Sequence, residues 1–263
     1  MRFSFFALAA AAVAALTMTA LPATASAQSR TRSVTAPNQT QIDEAIRGII
    51  HRDQLRCDYD TARFIGRNNE GRTLYEVGCR GAPGFLLLDN DPATTIPCIA
   101  NNASVAAIRA QDPEAAVGAE CSMESNTNVV AAISAYLPAA GVTCAVDQAR
   151  WVGATTDGTQ RYEVGCPASE GSWFDVTPAG EVNNIMGCLR VTAGGGTCQF
   201  TSAAESAAWV LAQAASSGRS CQATSARWVG QNESTGQIYR EIGCADGVGF
   251  MVRTSGTNAS EAV

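Results

Sequence analysis

The sequence predicts an α+β fold: three tandem modules, each one helix packed on a three-stranded antiparallel sheet. Three observations carry that prediction. First, one pattern occurs three times: a cysteine, Ala-Arg-aromatic-aliphatic-Gly, a polar turn, Tyr-Glu-aliphatic-Gly-Cys or a near copy, then a Gly-aromatic run. The copies run from Cys57 to Leu88, Cys144 to Val176 and Cys221 to Val252. Second, the segment ahead of each copy has helical periodicity, and third, apolar residues within each copy alternate as in a half-buried strand. The boundaries follow: a leader 1–27, a flexible segment 28–38, modules 39–120, 121–197 and 198–253, and a polar tail 254–263 expected to be disordered.

The leader opens with Arg2, continues as an apolar run from Phe5 to Leu21 and closes on Ala25-Ser26-Ala27. That is the anatomy of an export signal cleaved after Ala27. No later apolar stretch is long enough for a membrane span, and no cysteine sits just after the cleavage site, which disfavours a lipoprotein. The expected product is an exported protein of periplasm or medium.

Each helix has a start signal and one apolar stripe. Thr40 with Asp43 reads as a cap for the first, and Ile42, Ile46, Ile49 and Ile50 share a face. Val129, Ile133, Tyr136 and Leu137 repeat the spacing in the second, closed by Pro138 and Gly141. The third opens on the capping box Ser202 with Glu205, presents Ala207, Val210, Leu211 and Ala214, and stops at Gly218.

The first strands are centred on Arg63-Phe64-Ile65, Arg150-Trp151-Val152 and Arg227-Trp228-Val229. The turns after them hold residues tolerant of positive φ: Gly71, Asp157-Gly158 and Gly236. On the return strands, period two buries Tyr75, Val77 and Cys79, or Tyr162, Val164 and Cys166, and turns Glu76 or Glu163 to solvent. The third copy, Tyr239-Arg240-Glu241-Ile242, is one residue longer, which predicts a bulge or a looser turn. Third strands follow at Phe85–Leu88, Trp173–Val176 and Phe250–Val252, with room for a short fourth near Glu181-Val182 in the second copy.

Ten cysteines in an exported chain read as five disulfides. Cys57 with Cys79, Cys144 with Cys166 and Cys221 with Cys244 each lie within one copy. The remaining four fall two per junction, Cys98 and Cys121, then Cys188 and Cys198. Crossed pairing of those four, Cys121 with Cys188 and Cys98 with Cys198, breaks that symmetry.

The order of helix, strand, turn, strand ending in Tyr-Glu-Val, and strand resembles PepSY modules and the helix-on-sheet repeats of secreted β-lactamase-inhibitor proteins. The second copy carries the resemblance best, in Asp157-Gly158, Tyr162-Glu163-Val164, Phe174-Asp175-Val176 and Gly180-Glu181-Val182. It covers about 50 residues of each copy in short motifs common to hairpins, and cysteines at these positions depart from it. The resemblance implies a non-enzymatic exported module that binds or restrains a secreted enzyme.

Composition removes several functions. A net charge of −6, one unit more negative without Arg2, disfavours nucleic acid and anionic membrane surfaces. The cations other than His51 are all arginine, so no lysine amine is available for chemistry; with the many alanines, this suggests a GC-rich bacterial genome. His51, near the end of the first helix, reads as a solvated helix-end histidine. No Gly-x-Ser-x-Gly elbow occurs, and Gly194-Gly195-Gly196 and Gly247-Val248-Gly249 read as turns. Asp58-Tyr59-Asp60 and Asp89-Asn90-Asp91 lack the spaced ligands of a calcium loop. Arg63 with Glu76, Arg150 with Glu163 and Arg227 with Glu241 read as cross-strand ion pairs on the solvent face. Phe64, Trp151 and Trp228, with Trp173 nearby, either pack beneath the helices or form an exposed binding row. No catalytic, cofactor or metal residue is predicted. The expected function is binding of a secreted or envelope protein, with inhibition of a secreted enzyme as its sharper form. The rivals are a structural or glycan-binding envelope protein and a hydrolase without a recognisable motif.

Overall fold

The computed structural model describes residues 36–254 and 260–262. The leader, residues 28–35 and residues 255–259 lie outside the described residues, and so do the expectations placed on them. Helix α1 (Gln39–Asp53) begins two residues earlier than a cap at Thr40 would place it, because Asn38 is its cap. The Asn38 side chain accepts from the Gln41 N–H, and the Gln41 side chain accepts from the Asn38 N–H, each at 3.0 Å. Ile42, Ile46 and Ile49 are buried against Tyr59, Tyr75, Val77 and Leu87 of the first sheet, each worth roughly 1.5–3 kcal/mol in burial.

That sheet is an antiparallel meander of β1 (Tyr59–Arg67), β2 (Thr73–Cys79), β3 (Ala82–Leu88) and β4 (Thr94–Pro97). The second module repeats it with β5 (Gln148–Ala154), β6 (Gln160–Gly165), β7 (Ser172–Val176) and β8 (Val182–Gly187). The third does so with β9 (Ala223–Gln231), β10 (Ile238–Cys244), β11 (Phe250–Thr254) and β12 (Ser260–Ala262). The fourth strand expected near Glu181-Val182 in the second copy therefore occurs in all three. In the third copy it lies in the stretch read as disordered tail, where Ser260–Ala262 pairs with β11.

Where β4 and β8 end, a linking helix begins: α2 (Cys98–Gln111) and α5 (Cys188–Ala193). Each places one early residue in the following module's core, Ile99 in the second and Leu189 in the third. The second module's helix is broken into α3 (Glu124–Thr127), α4 (Val129–Ile133) and a 3-10 turn at Ser134–Tyr136. The break falls at Asn128, whose backbone is extended and whose side chain caps α4 by accepting from the Ala131 N–H. Helix α6 (Ala203–Gln213) starts at the Ser202 and Glu205 capping box.

The extra residue of the third copy goes into its turn. Arg67 pairs with Thr73 and Ala154 with Gln160, whereas Gln231 pairs with Ile238. A bulge follows the strand aromatic in all three modules, skipping Ile65, Val152 and Val229. Arg240 rather than Tyr239 then takes the inward place of Tyr75 and Tyr162, since Arg240 lies opposite Trp228 as Tyr75 lies opposite Phe64. Five disulfides close the structure: Cys57–Cys79, Cys98–Cys121, Cys144–Cys166, Cys188–Cys198 and Cys221–Cys244.

Candidate binding surfaces

The faces of the first and second sheets away from their main helices are not open to water where the repeated glutamates stand. Glu76 and Glu163 are fully buried, so the solvent-facing ion pairs expected there are corrected. A lead-in segment, the residues ahead of the next module's helix, folds back over each carboxylate. Glu76 accepts from the backbone N–H groups of Ser122 and Met123 at 2.9 Å, the Asn126 amide at 3.0 Å and Arg63 Nε at 2.6 Å. Glu163 accepts from the backbone N–H groups of Gln199 and Phe200, and from Arg150 Nε at 2.7 Å. A buried carboxylate is tolerable only with such donors. Two glycines per seat make room. A side chain at Gly78 would press on Met123, and one at Gly165 would meet Phe200 at 2.7 Å; at Gly84 and Gly171 it would meet Asn126 at 2.2 Å and Thr201 at 2.3 Å.

The junction disulfides clamp these lead-ins from beside the carboxylates. Glu76 with Cys98 and Cys121, and Glu163 with Cys188 and Cys198, bring oxygen and sulfur within 4.8 Å. The sulfurs are already bonded to each other, so this proximity reflects packing rather than a metal-ligand set.

Burial opposes ionisation of Glu76, yet the bonds from Asn126, Met123, Arg63 and Ser122 outweigh it and hold its pKa below the ordinary 4.5. A carboxyl depressed by folding contributes stability that is complete above its unfolded pKa and lost as pH falls through its folded one. Glu76→Gln should therefore lose less stability than the parent on acidification below 4.5, read as the slope of melting temperature against pH. An unchanged slope would remove Glu76 from the acid response.

In the third module Arg240 stands where the others have tyrosine. It lies 4.7 Å from the Trp209 ring and 5.9 Å from the Trp228 ring, with Glu170 of the second module 3.5 Å away. Burial pushes the Glu170 carboxyl up and the Arg240 guanidinium down, and the contact between them offsets only part of that cost. The aromatic faces and the Thr254 hydroxyl, which accepts from Arg240 at 3.0 Å, add to that contact, and through Glu170 the arginine ties the second module to the third.

Phe64, Trp151 and Trp228 face the helices. Each is half-buried against its module's core, and Phe64 meets Tyr75 edge-on at 6.4 Å between centroids. Trp173 lies on the opposite face, 5.5 Å from the Arg161 guanidinium, and donates to Glu163 at 3.3 Å. The four do not form one row. His51 is exposed in the last turn of α1. Asp58 and Asp60 both pair with Arg80, while Asn90 holds Thr94 and accepts from Arg52. Gly194 to Gly196 close α5 as a turn, and Gly247 turns out of β10. None of these groups shares a cavity arranged for proton transfer or nucleophilic attack.

Two of the concavities have mainly apolar walls. A cleft of about 390 Å³ between the first and second modules is walled by Arg56, Pro83, Phe85, Tyr136, Tyr162 and Pro178, among others. Burial pushes both phenols up, so they stay neutral hydrogen-bonding groups. The second is a groove of about 350 Å³ on the outer face of the first sheet, with Ile65, Leu74, Leu86, Leu88 and Ile96 on its walls. Ile96, on the edge strand β4, is 44% exposed. Leu74 and Leu88 pair across β2 and β3. Their counterparts in the second module are Arg161 and Asp175, bridged at 2.6 Å and joined by Asn184, and in the third Tyr239 and Arg253. Sequence reasoning missed this groove; the signal was the loss, in copies two and three, of the leucines that copy one has at these outer positions.

No family model, curated protein or solved structure matches the chain. Among the described residues no helix is long and apolar enough to cross a membrane, and the five disulfides suit an oxidising compartment.

Proposed function

We propose that this is an exported, non-enzymatic repeat protein that binds another protein through the outer groove of its first module. One observation carries the reading. At equivalent places on three copies of the same sheet, only the first module has Leu74 and Leu88, where the others have charged or polar residues. A module that needed the position only for folding would do as well with the second module's ion pair. An apolar groove beside a fourth strand with an exposed isoleucine suits an extended segment laid along the sheet. The resemblance to inhibitor-type helix-on-sheet repeats supports a secreted enzyme as the partner.

The double variant Leu74→Arg/Leu88→Asp copies the second module's bridge into the first. It should fold with a melting temperature lowered by the lost packing of Leu74 on Leu86 and the Cys98–Cys121 bridge, and lose capture of the secreted partner by at least about tenfold, the loss of roughly 1.4 kcal/mol or more expected when an interface centre becomes charged. Undiminished capture of the same protein would overturn the groove as the site. Retention of cell-wall polysaccharide in place of a protein would favour the glycan-binding alternative, and turnover of chromogenic esters, peptides or glycosides would favour the hydrolase.

A further inference from the structure

The third module has the same seat as the other two, and among the described residues nothing lies on it. Arg227 and Glu241 pair across β9 and β10 as Arg63 and Glu76 pair across β1 and β2. Gly243 and Gly249 occupy the places of Gly78 and Gly84, or Gly165 and Gly171. The Glu241 side chain is 38% exposed, where those of Glu76 and Glu163 are 0%. Arg227 is its one hydrogen-bond partner among the described residues. The close neighbours of a side chain at Gly84 or Gly171 include Asn126 of α3 or Thr201 of a lead-in, whereas at Gly249 they are backbone atoms of the third module itself.

We propose that this seat receives the lead-in of the first module of a second copy of the chain, joining copies head to tail. Both filled seats hold the same kind of occupant: the residues just ahead of a module's helix, presenting two successive backbone N–H groups to the glutamate. One further lead-in exists in the sequence, Val34-Thr35-Ala36-Pro37 ahead of the cap Asn38. In the third module's lead-in the two donors, Gln199 and Phe200, stand three and two residues before the cap Ser202. The donors of the other filled seat, Ser122 and Met123, stand one residue before and at the cap of the short helix α3. Helix α1, like α6, is a long helix opening on a capping box, and the α6 count from Asn38 gives Thr35 and Ala36. Pro37, which has no N–H, falls at the place of Thr201, whose N–H is not one of the two that Glu163 takes. Residues 28–37 include Arg30 and Arg32 and no acid, in a chain of net charge −6, so the segment approaches another copy with net attraction. Seat and lead-in lie on different modules, so the contact is heterologous and leaves each end of a growing chain free to add another copy. No cysteine stands at either position, so this junction lacks the clamp of the internal ones and is reversible.

The test is sedimentation equilibrium of the oxidised protein from micromolar to submillimolar concentration, with two variants. Glu241→Ala removes the acceptor at an exposed site. Ala36→Pro removes one donor ahead of α1, outside any helix or strand. The parent should show mass rising with concentration without a fixed limit. Each variant alone should raise the association constant's midpoint concentration by at least about tenfold, since each loses charge-assisted hydrogen bonds. Mixed together, the two should form a dimer and stop there, because the mixture holds one intact seat and one intact lead-in for each pair. A parent that stays monomeric throughout overturns the proposal. So does association that survives in both variants, or a mixture that behaves as either variant alone. Loss of partner capture by the first-module groove variant would leave these outcomes unchanged, so the two readings fail independently.

Discussion

Glu76→Ala should cost about 3–5 kcal/mol, the loss expected when one member of a buried charged cluster is deleted, measured as the change in unfolding free energy in urea. The substitution strands the N–H groups of Ser122 and Met123, the Asn126 amide and the Arg63 guanidinium, all gathered on this carboxylate. Each buried donor left without an acceptor carries its own desolvation penalty. Glu241→Ala is the matched control. It removes the same cross-strand arginine pair from the third module, but with the carboxylate exposed, where such pairs contribute about 0–1 kcal/mol. Equal losses at the two positions would show that the covering lead-in contributes nothing.

The second large effect is expected from reduction. Four of the five bridges close loops of 22 or 23 residues and one a loop of 10. Chain entropy assigns about 3 kcal/mol to each of the longer loops and slightly less to the short one. Together these exceed the net stability of about 5–15 kcal/mol typical of a domain. Excess thiol should therefore abolish the cooperative unfolding transition, followed by fluorescence of Trp151, Trp173, Trp209 and Trp228. Paired replacements should rank by loop length, with Cys188→Ser/Cys198→Ser losing about 0.7 kcal/mol less than Cys57→Ser/Cys79→Ser. A reduced protein that still melts cooperatively would assign the stability to the cores alone.

The framework was legible because its signals are local and repeated. Cysteine positions, the alternation of Tyr75, Val77 and Cys79, and the Ser202 and Glu205 box each report on neighbours within a few residues. The seats were illegible for the opposite reason. Alternation correctly turns Glu76 away from the helix, but whether that side meets water depends on Ser122, 46 positions later. The available signal was the Glu-x-Gly triplet in all three copies, at Glu76, Glu163 and Glu241, since a glycine beside a strand carboxylate suggests close approach of another backbone. Of the fourth strands the sequence signals only that of the second copy; the other two escaped notice because β4 borders its sheet with no alternating apolar face and β12 is three residues long. The longer third copy predicts a bulge or a looser turn, and strand pairing shows that the turn absorbed the extra residue, which puts Arg240 rather than the motif-like Tyr239 in the inward place.

The way each carboxylate waits for the lead-in behind it sets an order of events during synthesis. When the first module's strands have emerged, Glu76 and Arg63 still meet water, and the sheet face carrying them cannot close until Ser122 and Met123 arrive. Glu163 waits in turn for Gln199 and Phe200. Completion therefore passes backwards along the chain, each unit sealed by its successor. A cut at residue 120, where the repeat pattern places the module boundary, would release a first module with its own cap left on the other fragment; a cut after Asn126 would not.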